Sequence, residues 1–321
     1  MNTDQNAGAN AGRNVRRNAA ASAASRTTRF LDVPGGRIAY DVAGSGPLVV
    51  LVPGMGDLRS TYRFTVPAIV AAGGTAVSVD LRGHGDSTAD FPGYGDEATA
   101  GDIIALLAHL GSPAVVVGNS MGAGAAVIVA AERPELVDGL VLVGPFVRNP
   151  AAASPFMRGV MRVLMARPWA ATVWKRYLST LSPAAKAADF EAHRDEIVRS
   201  LRRPGYAKSF SLTTRLSHDV AERRLGDVAA PVLVVMGEKD PDFPDPVAEA
   251  SWIADMLRGS AVLVAGGGHY PQSERAEDFA AAVVPFLATV WGGPSAADAG
   301  DADADAAAAD AAGSDGSGDR A

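Results

Sequence analysis

The segment Gly118–Gly122, of sequence Gly-Asn-Ser-Met-Gly, carries residue types that suit nucleophilic chemistry. It follows an apolar, β-branched run and directly precedes a helical pattern that starts at Met121. A sharp strand-to-helix turn points a serine Oγ outward, and a glycine at either end leaves room for the neighbouring backbone. The positive end of the following helix favours the negative charge that develops during attack. The spacing therefore predicts that Ser120 is a nucleophile.

A serine hydroxyl is a poor nucleophile unless a base lies within hydrogen-bond reach. Among the five histidines, His269 lies in a loop at the carboxyl end of a predicted strand, just before a Tyr-Pro pair. His84 lies in an Arg-Gly-His-Gly turn, where we expect it to hold the turn or to line the site. The other three end helical patterns or lie within them: His109, His193 and His218. The pattern therefore favours His269 as the base.

A carboxylate must orient that base and stabilise its charged form. Asp240 follows a predicted strand in a Gly-x-x-Asp turn, and Asp242 and Asp245 lie close by as alternatives. The segment around Ser120 contains no lysine or arginine, so a lysine base is not expected there. We expect Ser120 to attack an ester-type carbonyl, His269 to shuttle the proton and Asp240 to fix the imidazole tautomer.

Alternating strand and helix patterns must position these residues. The inner β-branched runs are almost continuous in Val, Leu and Ile, which is typical of strands buried on both faces of a parallel sheet. Helical spacing separates them, as in Gly101–Leu110 and Met121–Ala131. The alternation predicts an α/β fold, a three-layer sandwich with a mostly parallel β-sheet. The predicted strands are Ile38–Val42, Leu48–Val52, Ala76–Asp80, Ala114–Gly118, Leu140–Gly144, Val232–Met236 and Ala261–Ala265.

Residues 146–225 contain helical patterns and no β-branched runs, which predicts a helical cap inserted between two parts of the core, 30–145 and 226–292. Its apolar residues are expected to form the cap core or to line an acyl pocket. They are Phe146, Phe156, Met157, Met161, Leu164, Met165, Trp169, Trp174 and Leu178. The segment holds 15 Lys/Arg against 6 Asp/Glu. Three interpretations of these basic residues stay open. They lie on solvated helix faces, they attract an anionic substrate, or they contact an acidic membrane surface. The predicted cap helices are Phe156–Met165, Ala170–Leu181, Pro183–Leu201 and Tyr206–Leu216.

The chain has 321 residues, of which 48% are hydrophobic and 20% charged. Its composition excludes several kinds of site and of membrane segment. Without cysteine there is no disulfide, thiolate metal site or thiol nucleophile. No apolar run approaches the ~20 residues that span a bilayer. The N-terminus lacks the apolar stretch of a signal peptide, so we expect a cytoplasmic protein. The Arg-containing tail 1–29 and the Ala/Asp-rich tail 293–321 are predicted to be disordered.

Four motifs together resemble the α/β-hydrolase superfamily over residues 30–292. They are an oxyanion-type loop, a D-x-R-G-x-G-x-S turn, a nucleophile turn, and the acid and histidine turns taken as a pair. In this sequence they lie at Pro53–Gly56, Asp80–Ser87, Gly118–Gly122, Gly237–Asp240 and Gly268–Pro271. The chain order Ser120, Asp240, His269 is the order that this fold uses. The resemblance implies the same catalytic triad that the residues suggest.

The resemblance also implies an oxyanion hole made by the backbone N–H groups of Met55 and Met121. Pro53 stands where many members have a histidine, which leaves the subfamily open. We expect a cap-bearing serine hydrolase that cleaves a carboxylic ester of a small, largely apolar substrate through an acyl-serine intermediate. No cofactor, metal, nucleic-acid partner or stable membrane insertion is expected, and the oligomeric state stays open.

Three other functions remain open. The Gly-Asn-Ser-Met-Gly form is frequent among hydrolases that cleave C–C bonds of ring-fission products, although their longer glycine-rich oxyanion loop is missing. Cofactor-free perhydrolase chemistry needs the same triad. A catalytically silent ligand-binding protein of this fold is the alternative of another class. Epoxide hydrolases and dehalogenases are disfavoured, because those relatives place an aspartate where Ser120 stands.

Overall fold

The computed structural model describes residues 27–149, 155–184 and 186–292. Eight strands form one sheet: β1 (Arg29–Val33), β2 (Gly36–Gly44), β3 (Leu48–Val52), β4 (Thr75–Val79), β5 (Ala114–Asn119), β6 (Val137–Val143), β7 (Val232–Gly237) and β8 (Ser260–Val264). Their order is β1-β2-β4-β3-β5-β6-β7-β8. The β1–β2 and β2–β4 pairs are antiparallel and all the others are parallel. The predicted α/β fold with a mostly parallel sheet is confirmed.

The edge strand β1 was not predicted. A two-residue turn at Pro34-Gly35 folds it onto β2, and its first residue, Arg29, pairs with Tyr40. The predicted boundary of the N-terminal tail is therefore wrong at Arg29, because pairing with β2 gives that residue a strand partner. The rest of the predicted tails lies outside the described residues, apart from 27 and 28.

The described helices are α1 (Thr65–Ala71), α2 (Asp96–Leu110), α3 (Met121–Glu132), α4 (Pro155–Leu164), α5 (Ala170–Leu178), α6 (Phe190–Leu201), α7 (Tyr206–Thr213), α8 (Asp219–Arg224), α9 (Pro246–Leu257), α10 (Pro271–Glu274) and α11 (Ala276–Val290). Short 3₁₀ turns lie at Arg59–Tyr62, Pro134–Leu136 and Leu225–Asp227. Among the described residues, none of the helices combines the length and the apolar character needed to cross a membrane.

Side chains of the strands alternate between two buried clusters, one on each face of the sheet. On one face, Val50 of β3 packs in a cluster with Ile103 of α2. On the other face, Leu51 belongs to a cluster with Val66 of α1 and Phe279 of α11. Because both faces are covered by helices, the inner strands are almost continuous runs of apolar residues, as their sequence predicts. The sheet is the middle layer of three.

Helices α4 to α7 form a cap with its own apolar cluster. Trp174, Ile197 and Phe210 are buried there, together with Tyr270 from the core. Phe156 and Trp169, which the sequence pattern places in the cap core or pocket, are instead 78% and 55% exposed. The side chains of two further residues of that predicted set, Met157 and Met161, lie outside what the structure describes.

The cap helices differ from their predicted bounds mainly at their ends. The predicted helix Pro183–Leu201 begins only at Phe190, after a turn that ends at Asp189. The predicted helices that start at Ala170 and Tyr206 each end three residues early, at Leu178 and Thr213. Apolar residues continue past these ends because the following loops are also buried against the core, as Leu181 is.

Candidate active site

Ser120 lies in the turn between β5, which ends at Asn119, and α3, which begins at Met121. Its backbone adopts φ 56° and ψ −121°, a conformation that is strained for a residue with a side chain. A Cβ on Gly118 would lie 2.4 Å from a backbone oxygen, and one on Gly122 would lie 2.7 Å from another. The two glycines are therefore required for the chain to pass through this turn.

The predicted base and acid lie together at the carboxyl ends of β7 and β8. His269 Nδ1 is 2.7 Å from Asp240 Oδ2, and both residues are 2% exposed. Asp242 Oδ2 lies farther from the same nitrogen, at 3.7 Å. Asp245 is engaged elsewhere, since it accepts the N–H of Ala248 at the start of α9. Asp240, the predicted acid, therefore has a shorter contact with His269 than either of the two alternatives.

Surrounding carboxylates control the charge of His269. Burial alone lowers its pKa, but Asp240, Asp242 and Glu274 raise it to about 9. The raised pKa favours the protonated imidazole, and the ring must lose that proton before it can act as a base. The same three negative charges stabilise the imidazolium form of the ring.

Among the described residues, Asp240, Asp242 and His269 bring one possible metal-ligand atom each to within 4.8 Å of one another. The His269 Nδ1 atom is already used in the hydrogen bond to Asp240. A metal ion bound to Nδ1 would replace that hydrogen bond, so Asp240 would no longer orient the imidazole ring. The arrangement fits an imidazole–carboxylate pair better than a metal centre.

Glu274, which sequence reasoning did not single out, and Asn119 hold the His269 loop. Glu274 of α10 accepts the N–H of Gly268 at 2.7 Å and that of Tyr270 at 3.0 Å. Asn119, which is fully buried, donates its amide to the carbonyl oxygen of His269 at 3.2 Å. The asparagine of the Gly-Asn-Ser-Met-Gly segment therefore positions the histidine loop.

The predicted oxyanion loop lies against the nucleophile. A Cβ on Gly54 would lie 2.9 Å from the Cβ of Ser120, so only glycine permits this approach. Met55 and Met121 both line the pocket that contains Ser120. Among the described residues, the backbone N–H groups of these two methionines have no hydrogen-bond acceptor. Both groups are therefore free to bind an oxygen of a substrate.

His84 holds this loop and does not face the nucleophile. Its Nε2 accepts the N–H of Gly56 at 3.0 Å, and its Nδ1 donates to the carbonyl oxygen of Arg82 at 3.0 Å. Burial lowers the pKa of His84, which favours the neutral ring that this hydrogen bond requires. Trp174 of the cap donates its Nε1 hydrogen to the Gly56 carbonyl at 2.7 Å. Core and cap thus fix the loop from two sides.

Arg82 and Ser87 brace the turn that carries His84. Arg82 binds both carboxylate oxygens of Asp102, at 2.8 and 2.6 Å. Ser87 donates to the Asp80 carbonyl at 2.8 Å and accepts the N–H of Ala39 at 2.9 Å. These contacts involve no residue of the pocket, so their role is structural.

Ser120 and His269 line one pocket of about 360 Å³ beneath the cap. Its apolar walls come from both core and cap: Met55, Met121, Phe146, Trp174, Leu181 and Leu216. A larger cleft of about 920 Å³ lies elsewhere, around Arg59 and Asp80, and contains neither Ser120 nor His269. The smaller pocket is therefore the one that contains the candidate nucleophile and the candidate base.

The sequence matches the model of the Alpha/beta hydrolase family over residues 49–282. Over 121 residues it is 40% identical to an uncharacterized protein of Mycobacterium tuberculosis, a match covering 37% of this chain and 35% of that protein. The chain thus spans about a third of that relative's length. Over 278 residues it is 29% identical to the 2-hydroxy-6-oxononadienedioate/2-hydroxy-6-oxononatrienedioate hydrolase of Paraburkholderia xenovorans, with 82% of this chain and 96% of that protein covered.

Among solved structures, the fold is similar to that of the esterase RhEst1 from Rhodococcus sp. ECU1013, with a TM-score of 0.67. The two sequences are 25% identical, and the similarity covers 83% of this chain and 99% of the esterase.

Proposed function

The chain belongs to the alpha/beta hydrolase family, and on that premise we propose that it hydrolyses a carboxylic ester through an acyl-serine intermediate. The observation that carries this proposal is the strained backbone conformation of Ser120. Ser120 also lines the same pocket as His269, whose Nδ1 contacts Asp240. A strained conformation of this kind needs support from the surrounding structure, and it is common where a side chain must be presented for chemistry.

In the first step, the Ser120 Oγ attacks the ester carbonyl while its proton passes to His269 Nε2. Nε2 is the acceptor because Nδ1 bonds Asp240. The carbonyl π electrons move to oxygen, and the backbone N–H groups of Met55 and Met121 bind the resulting oxyanion. Each such donor contributes roughly 3–4 kcal/mol to transition-state stabilisation in comparable sites.

The tetrahedral intermediate then collapses to the acyl-serine. The bond from carbon to the alcohol oxygen breaks, and His269 returns its proton to that oxygen. In the second half, His269 takes a proton from water, and the hydroxide attacks the acyl carbon. The acid leaves with its carbon–oxygen bond to Ser120 broken, and the serine recovers its proton from His269.

A rate panel on p-nitrophenyl esters from acetate to palmitate, with Ser120→Ala measured alongside, tests the proposal. The apolar pocket of about 360 Å³ leads us to expect the fastest turnover at short or medium acyl chains. Turnover that vanishes in Ser120→Ala supports the proposal. Turnover that persists in Ser120→Ala, or the absence of turnover on every ester, contradicts it.

Hydrolysis of a C–C bond in a ring-fission product is the second candidate. The match to the Paraburkholderia xenovorans hydrolase over 96% of its length favours it, as does the Gly-Asn-Ser-Met-Gly form. Here, however, the Asn119 amide bonds backbone oxygens and is buried, so it has no direct part in binding substrate. Ser120-dependent loss of a conjugated dienol chromophore, without turnover of any ester, would favour this second function.

A further inference from the structure

A second imidazole–carboxylate pair lies in the same pocket. His218, which precedes α8, also lines this pocket, and its Nδ1 is 2.7 Å from Asp96 Oδ2. Asp96 lies in the first turn of α2, and both residues are buried. The ring of Phe146 stacks on His218 at 5.7 Å between centroids and contacts the His269 ring at 6.0 Å. The two pairs therefore flank one aromatic side chain.

The surrounding structure is adapted to this second pair. A Cβ on Gly124 of α3 would lie 2.6 Å from Asp96 Oδ2, so the helix that follows Ser120 admits the carboxylate only through glycine. Asn149 accepts the backbone N–H of His218 at 2.9 Å and fixes its position. The Asp96 Oδ1 atom is buried and has no partner among the described residues. A buried oxygen without a partner is costly, so stability alone does not explain this carboxylate.

The hydrogen bond to Asp96 determines what His218 can offer. A carboxylate only accepts hydrogen bonds, so the hydrogen of the neutral imidazole lies on Nδ1 and leaves Nε2 as an acceptor. Thr214, also in the pocket wall, donates its hydroxyl hydrogen to the Ser211 carbonyl at 2.9 Å. Its oxygen is left to accept as well. Asp242 adds a carboxylate to the same wall.

Most side-chain donors around the pocket are already used within the protein. Tyr177 donates to Asp242, and Trp174 donates to the Gly56 carbonyl. Asn149 donates to the side chains that follow α7. Among the described residues of the wall, only Ser120, His269 and Tyr270 keep a side-chain donor without a protein acceptor. Beyond the catalytic pair, Tyr270 is the one described wall residue with such a donor, whereas His218, Thr214 and Asp242 offer acceptors. The pocket therefore complements a ligand that donates hydrogen bonds.

We propose that His218, oriented by Asp96, binds a hydroxyl group of the substrate on the side of Phe146 away from His269. The preferred substrate is then a hydroxy-ester and not an unsubstituted alkyl ester. His218 is a substrate-binding residue in this account, and Asp96 is a positioning residue that acts through it. The inference rests on the proposed ester hydrolysis at Ser120.

Three matched substrates test whether His218 binds a substrate hydroxyl group. They are p-nitrophenyl hexanoate, its ω-hydroxy derivative and its ω-methoxy derivative. The last two differ in whether the terminal oxygen can donate. We expect the kcat/KM of the hydroxy ester to exceed that of the methoxy ester by about tenfold, mainly through KM, as one well-placed hydrogen bond allows. A ratio near one in the unmodified protein, with Ser120-dependent turnover of all three esters, overturns this inference and leaves ester hydrolysis standing.

Two variants test whether the ratio of kcat/KM between the hydroxy ester and the methoxy ester depends on the His218–Asp96 pair. His218→Phe removes the acceptor and keeps an aromatic ring against Phe146, so the ratio should fall to near one. Asp96→Asn can donate an amide hydrogen to Nδ1, which moves the imidazole hydrogen to Nε2 and should also abolish the preference. His109→Gln, an exposed histidine on α2, is the matched control and should keep the tenfold ratio. A ratio that survives in both His218→Phe and Asp96→Asn overturns the inference.

Binding to Ser120→Ala gives a readout that needs no turnover. Trp174 lines the pocket, so its fluorescence can report the Kd of the hydroxy and methoxy esters. About tenfold tighter binding of the hydroxy ester supports the inference, and equal affinity overturns it. If the esters bind in this order and none is hydrolysed by the unmodified protein, ester hydrolysis fails and the hydroxyl site remains supported.

Discussion

The two imidazole–carboxylate pairs share one geometry and differ in their surroundings. In each, a histidine Nδ1 lies 2.7 Å from an aspartate oxygen. The His269–Asp240 pair belongs wholly to core loops at the carboxyl ends of β7 and β8. The His218–Asp96 pair joins a core helix to the segment that follows the cap. Identical local bonding can therefore serve different purposes, because the role depends on the neighbouring groups and on what each Nε2 faces.

The neighbouring groups act differently on one residue of each pair. Three carboxylates raise the pKa of His269 to about 9, which suits a residue that must carry a proton during the reaction. Burial raises the pKa of Asp96, against the lowering effect of its hydrogen bond and charge interaction with His218. We infer that the first pair transfers protons and that the second only accepts a hydrogen bond.

The largest expected effect is at the nucleophile. Ser120→Ala and His269→Ala should each lower kcat/KM by roughly 10⁴- to 10⁶-fold, and the double variant should be no worse than either, because the residues act as a unit. Steady-state kinetics on the best ester of the panel measures this. Additive losses would mean that Ser120 and His269 act independently.

Substitution of the two aspartates compares the pairs directly. Asp240→Asn should lower kcat by roughly 10³- to 10⁴-fold, because the imidazole then holds the wrong tautomer for proton transfer. Asp96→Asn should lower kcat/KM for a hydroxy-ester by only about tenfold, since one hydrogen bond to substrate is affected. Similar losses in the two variants would contradict the division of roles.

The pH profile tests the charge around His269. The base is active only when deprotonated, so kcat/KM should rise with pH from neutral toward about 9. Asp242→Asn removes one negative charge that favours the protonated imidazole, and the rising limb should therefore move to lower pH. A limb that stays in place or moves to higher pH would show that Asp242 does not act on His269.

The smallest effect concerns the packing that admits the second pair. Gly124→Ala should lower the free energy of unfolding by about 1–3 kcal/mol, because its methyl group would press on the Asp96 carboxylate. Gly101→Ala, in α2 with no atom within 4 Å of the new methyl group, should raise it by about 0.5–1 kcal/mol. Urea denaturation of both variants measures the two changes in the free energy of unfolding. Equal changes would show that packing at Gly124 is no tighter than at Gly101.

The first pair could be predicted from sequence because its residues lie in marked places. Ser120 is enclosed by glycines between a strand and a helix. Asp240 follows the buried strand β7, and His269 follows the more exposed edge strand β8. Parallel strands bring their carboxyl ends to one edge of the sheet, so the three residues must meet there. The Gly-x-x-Asp turn also favoured Asp240 over Asp242 and Asp245, and the shorter distance from Asp240 to His269 Nδ1 agrees with that prediction.

The second pair could not be predicted, because nothing local marks it. Asp96 and His218 are 122 residues apart, and each lies beside a helix pattern of ordinary composition. One weak signal was present: Gly124 lies inside a helix, where glycine is unfavourable unless another group approaches closely. The cap ends were also missed, since apolar loops packed on the core extend the helical pattern.

Reaction with a fluorophosphonate tests directly whether Ser120 is an activated nucleophile. An activated serine displaces fluoride from phosphorus, and its proton leaves by way of the base, so the adduct reports a working nucleophile without a substrate of known identity. We expect one adduct per chain, located by peptide mass spectrometry at Ser120, absent in Ser120→Ala and strongly slowed in His269→Ala. An unreactive protein, or an adduct that persists in Ser120→Ala, would contradict the assignment of Ser120 as the nucleophile.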